Sequence, residues 1–207
     1  MTTSRILTVD KASANSTFQG QQVRKFTVTF WDNGAVAPTG SEFNYDLVDS
    51  DGVTQRFYGW EDAGTTPPTY GIYRTQSTYD PATAKALAKG GSYSYTNRRE
   101  ALAWGVGNYA TEQVTVEYYG AEPVTTSAGT FQACHYKVTT TADSVDVDFK
   151  LNAIEEVWQT KDVRIRKLSS ERQTAQDGTL LFGRDEEQTV VGYVKDGVAY
   201  GNVSQTP

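Results

Sequence analysis

Runs of alternating apolar and polar residues recur along most of the chain, and turn-forming residues break them at intervals of roughly 8–12 residues. In "RKFTVTFW", Phe26, Val28 and Phe30 fall on one side and Lys25, Thr27 and Thr29 on the other. "EFNYDLV" repeats the pattern, with Phe43, Tyr45 and Leu47 against Glu42, Asn44 and Asp46. The C-terminal half is denser. "EQVTVEYYG" aligns Val114, Val116 and Tyr118, residues 130–141 follow, and over 143–151 Val145, Val147, Phe149 and Leu151 oppose Asp146, Asp148 and Lys150. "AIEEVWQT", "VRIRKLSSE", "TLLFG", "QTVVGYV" and "VAYGNV" continue the series, with Asp-Gly hairpin turns at 177–178 and 196–197. Many half-apolar strands must be covered at once. The expected fold is therefore mostly β, an antiparallel barrel or strongly curved sheet (half-barrel) with one or two short helices.

The clearest helix signal is "YDPATAKALAKGG", where Asp80 can cap, Pro81 suits the first helical position and Gly90 can end the turn. "NRREALAWG" at 97–105 reads equally as a second helix, capped by Asn97 and Glu100, or as a strand. A loop-rich middle, 61–108, separates N-terminal strands (4–60) from a C-terminal meander (109–203). Neither group readily covers its own apolar face, so residues 1–207 are expected to form a single β-rich domain.

Composition narrows the function classes. The net charge is −6 and no basic stripe occurs, so no nucleic-acid partner is expected. No apolar run approaches the ~18 residues of a membrane-spanning segment. One cysteine, Cys134, excludes an internal disulfide, and one histidine, His135, makes a zinc or copper centre improbable; no metal and no cofactor are expected. Cys134 and His135 are sequence neighbours on a strand and face opposite ways, which argues against a Cys/His nucleophile. Asp49-Ser50-Asp51-Gly52 reads as a turn and not as a calcium loop. Glu155-Glu156 and Asp185-Glu186-Glu187, the latter in an expected turn, are not poised as catalytic pairs.

In "VTTSAGTFQACHYKV" (124–138), Gly129 supplies the freedom of a tight turn and Thr130-Phe131 restarts a strand. Alternation then puts Cys134, Tyr136 and Val138 on one face and Phe131 on the other, which requires a bulge beside the turn or cover on both faces. This stretch resembles a family of bacterial secreted proteins and lipoproteins of unknown function that share a strand, a Pro-Ala-Gly-Thr-Phe turn and a second strand. Ala128, Gly129, Thr130 and Phe131 match the turn, Trp158 the family's tryptophan, and Val163, Ile165 and Lys167 the end of its motif, over about residues 78–172. Ser127 stands where the family has proline, and Asp162 and Arg164 where it has glycines. The resemblance implies a β-rich envelope domain, periplasmic or on the outer surface of a bacterium, its leader trimmed. A cytoplasmic protein is the other reading of a start without an apolar leader.

Aromatic residues are numerous, 13 Tyr, 8 Phe and 4 Trp, and several concentrate in the loop-rich middle. Trp60, Tyr70, Tyr73, Tyr79, Tyr93, Tyr95 and Trp104 are candidates to line a pocket mouth for a lipid, another apolar small molecule or a sugar; the alternative is that they cap the core. The functional expectation is a non-enzymatic cell-envelope domain binding a hydrophobic ligand or a partner protein. The alternatives are a carboxylate-based glycan hydrolase and a structural subunit of a surface assembly.

Overall fold

The computed structural model describes residues 5–9, 13–18, 20–32, 35–48, 55–62, 70–101, 109–144, 148–160, 164–187, 189, 192–195 and 198–201. The fold is mostly β, with antiparallel strands in a curled, half-barrel sheet and one short helix among the described residues. The chain divides into two compact units, Met1–Ser77 with Arg99–Tyr109 and Thr206–Pro207, and Thr78–Arg98 with Ala110–Gln205.

In the first unit, β1 (Arg5–Val9) and β2 (Ser13–Phe18) both pair with β3 (Gln21–Asp32), and the sheet continues through β4 (Gly40–Val48), β5 (Gln55–Asp62) and β6 (Tyr70–Ser77). The β3–β4 register corrects the expected facing. Lys25 lies opposite Tyr45 and Thr27 opposite Phe43, so the apolar side of β4 shares a face with the polar side of β3. Both faces of β3 therefore carry cover: Val23 and Val28, five residues apart, are each buried. Phe18 stacks on Tyr45 with ring centroids 4.0 Å apart, Val23 and Phe43 join that cluster, and the Lys25 ammonium sits 3.5 Å from the Phe43 centroid.

The second unit begins with α1 (Pro81–Lys85). Asp80 caps it as expected, its carboxylate accepting from the Ala82 and Thr83 amides at 3.0 and 3.2 Å. No helix residue is buried, and the helix is tethered just beyond its end, where the Gly90 amide donates to Tyr118 O and the Tyr118 amide to Gly91 O. Strand order then follows the chain through β7 (Ser92–Ala101), β8 (Tyr109–Thr126), β9 (Gly129–Ser144), β10 (Phe149–Gln159), β11 (Arg164–Thr174) and β12 (Leu180–Glu186), with β13 (Gly192–Lys195) and β14 (Val198–Gly201) as a separate hairpin. The ambiguous 97–105 stretch is strand through Ala101; Trp104 and the rest of it lie outside the described residues.

Residues 143–151 are not one strand. β9 ends at Ser144, β10 starts at Phe149, and Asp148 adopts φ 46 while its carboxylate accepts from the Gln176 amide at 2.7 Å. Aspartate tolerates that left-handed conformation and here satisfies a neighbouring turn as well; residues 145–147 lie outside the described residues, as does the 49–52 turn. Asp185 and Glu186 are likewise strand and not turn: Asp185 pairs with Arg172 at 2.6 Å and Glu186 with Arg184.

The β8–β9 hairpin closes at the Thr126↔Gly129 pair with Ser127-Ala128 as a two-residue loop, and Gly129 takes φ +131. Over 131–136 both faces of β9 are covered, and no bulge interrupts it between Phe131 and Cys134. The bulge lies instead on β8 between Tyr118 and Gly120. On one face Val124, Ala133, Trp158 and Ile165 form the buried cluster with Phe131 against it; on the other lie Tyr118, Tyr136 and buried Val157.

Candidate functional site

The structure brings three of the seven candidate aromatics together. Tyr79, Tyr93 and Tyr95 form one cluster in the second unit, with centroids 5.1–6.1 Å apart. The Tyr93 hydroxyl accepts from the Asp80 amide at 2.7 Å and so helps to set the helix cap. Trp60, half-buried on β5 opposite Asn44 and Gly71, belongs to the first unit, as do Tyr70 and Tyr73 on β6. On the tyrosine face of the second unit, Tyr118 and Tyr136 lie 5.0 Å apart and the Tyr118 hydroxyl donates to Cys134 Sγ at 3.7 Å. Burial, reinforced by Cys134, pushes the Tyr136 hydroxyl up to about 12.

His135, on the opposite face of β9 from Cys134, anchors a group of two rings and two carboxylates. Its ring stacks on Trp158 at 4.0 Å, and Tyr119 meets it edge-on at 4.9 Å. Glu122 Oε1 lies 3.0 Å from Nδ1 and also accepts from Trp158 Nε1 at 2.7 Å, while Glu156 Oε2 is 3.7 Å from a buried Nε2 that has no hydrogen-bond partner. Three strands supply this group, because the registers set Glu122 beside Ala133 and His135 opposite Trp158. Sequence reasoning missed it. The signal was a count back from a turn near Asp148, which would have paired His135 with Trp158. The imidazole fills the space between the two carboxylates, and Glu122 already holds two donors, so the group braces three strands.

Further along the same face opens a cleft of about 620 Å³. Gln113, Thr141, Asn152 and Arg172 line one cross-strand row over β8 to β11, and Asp143 and Lys150 oppose each other in the next. The charged side chains are anchored by the protein. Arg172 donates to Asp185 and to the Arg184 and Glu171 carbonyls, Asp143 accepts from Gln176 Nε2 at 2.7 Å, and Lys150 donates to Gln176 O at 3.4 Å. Gln113, Thr141 and Asn152 stand exposed in its wall. Among the described residues, none of the candidate aromatics lines this cleft.

Among the described residues no group of three or more His, Cys, Asp or Glu side chains is placed to hold a metal ion, and no helix is long and apolar enough to cross a membrane. Of the motif residues, Ala128, Gly129, Thr130 and Phe131 form the β8–β9 turn and its restart, and Trp158 is buried between His135 and Ile165. No family model, curated protein or solved structure matches the chain.

Proposed function

We propose that the chain is a non-enzymatic binding domain of the bacterial cell envelope, its ligand held on the open face of the second unit. The observation that carries this reading is the cleft over β8–β11, whose exposed amides and hydroxyl can hold a ligand while its charged groups are already tied down. The envelope assignment rests on the resemblance carried by the turn at 128–131, Trp158 and the Val163, Ile165 and Lys167 segment. A lipid or other apolar ligand suits the tyrosine cluster less well, because those rings pack on one another. The test is native mass spectrometry of the purified protein with solvent extraction of whatever is bound. A reproducible added mass that disappears in a Gln113→Ala/Asn152→Ala variant supports the reading; a bare protein after exposure to envelope extract defeats it.

A second reading, a carboxylate-based glycan hydrolase, draws on Glu122 and Glu156 flanking His135 beside Trp158 and Tyr119. Reducing-sugar release that vanishes in both Glu122→Gln and Glu156→Gln would favour it over binding alone. A structural role in a surface assembly draws on terminal strand β12, where Leu180, Leu181 and Phe182 are 60%, 57% and 42% exposed.

A further inference from the structure

The binding reading leaves the ligand's chemistry open, and the cleft's layout narrows it. Resting on that reading, we infer that the ligand is a linear, uncharged oligosaccharide lying across strands β8 to β11.

Charge decides against a polyanion. Arg172 is bonded to Asp185, and Lys150 stands directly opposite Asp143, so the cationic groups of the wall are compensated within the protein. Neighbouring strands are about 4.8 Å apart, so Gln113, Thr141, Asn152 and Arg172 form a row of hydrogen-bonding groups about 14 Å long. That step is close to the advance per unit of an extended, β-linked pyranose chain. The next row, Asp143 and Lys150, lies two residues along the strands, about 7 Å away, leaving a trough one sugar ring wide.

The side-chain types agree with this geometry. A carboxamide offers a donor and an acceptor side by side, as a vicinal diol does, and Gln113 and Asn152 flank Thr141 across the sheet in that role. The Thr141 methyl offers a small apolar contact to the C–H face of a ring. An extended peptide is the poorer fit. Its main chain seeks a strand edge, whereas this cleft lies on a sheet face, across strands that already pair with one another.

The experiment is a chemical-shift titration of the isotope-labelled full chain with cellohexaose and with N-acetylchitohexaose, using glucose and the curled α-linked maltohexaose as controls. The inference expects shifts centred on Gln113, Thr141 and Asn152 with at least one extended probe, and at least tenfold weaker binding of glucose. It also expects affinity unchanged within twofold between 50 mM and 500 mM salt, since no counterions are released. Gln113→Ala/Asn152→Ala should weaken binding at least fivefold with the melting temperature unchanged, both residues being exposed. Unmoved cleft signals with both extended probes, or binding that collapses with salt, overturns the oligosaccharide assignment. If envelope extract still moves those signals the binding reading stands without it; if the extract moves nothing, both fall.

Discussion

Trp158 shows how much one side chain can organise. Its indole face carries His135, its N–H donates to Glu122, and its ring packs in the cluster that holds Ile165, the most deeply buried large side chain among the described residues. Replacing it by phenylalanine keeps a ring but loses a hydrogen bond to a charged acceptor and some volume. Trp158→Phe should cost about 2–4 kcal/mol in urea unfolding. Glu122→Gln, which keeps an acceptor at the edge of the group, should cost under about 1 kcal/mol. A Trp158→Phe loss under about 1 kcal/mol would show that the indole hydrogen bond contributes little. None of this could be read from residue types. Trp158 and His135 are 23 positions apart in sequence and meet only because a turn after Ser144 fixes their register.

At the scale of elements, local chemistry was legible wherever one residue dictates one conformation. Asp80-Pro81 started the helix, Asp177-Gly178 made a turn, and Gly129 closed a hairpin. Facing was legible on β9 but not between β3 and β4, where each strand alternates and the register alone decides which sides meet. The Phe43/Tyr45 side of β4 meets Lys25 and Thr27, and a cation over a ring makes that pairing favourable where a simple inside–outside rule forbids it. The Asp80 cap has a pH signature. Hydrogen bonds from Thr83 and Ala82 hold its carboxyl below the usual carboxylate range. A lowered folded-state value stabilises above the ordinary pKa of about 4, and the benefit is lost as pH falls through the folded value. Asp80→Asn keeps the cap without the charge, so its melting temperature should fall less than that of the parent between pH 4 and pH 2. Thermal scans over that range decide it. Parallel curves would remove Asp80 from the acid response.

For the whole molecule, fold class was legible. Strand recurrence and sparse helix signals led to an antiparallel, curled β fold. Sequence pattern could not show that each unit carries its own buried cluster, Phe18–Val23–Tyr45 in one and Val124–Ala133–Trp158–Ile165 in the other, since membership depends on contacts between strands far apart in the chain. Each unit also holds a tyrosine in its protonated form. Burial and Glu61 raise Tyr45, and burial with Cys134 raises Tyr136 to about 12. A raised folded-state value stabilises fully below the ordinary tyrosine value of about 10 and is lost as pH rises through the folded one. Stability should thus decline from about pH 10 toward pH 12, and Tyr136→Phe should flatten part of that decline in denaturant titrations. An unchanged slope would exclude Tyr136 as a contributor. The long β8–β9 ribbon has a kinetic consequence. Its two ends are brought together by a loop of only two residues, so pairing can start at Thr126↔Gly129 and zip outward before any distant strand arrives. A substitution at the origin of the zipper should then act on the way into the native state and not on the way out. Gly129→Ala, strained at φ +131, is expected to slow refolding in stopped-flow mixing while leaving the unfolding rate nearly unchanged.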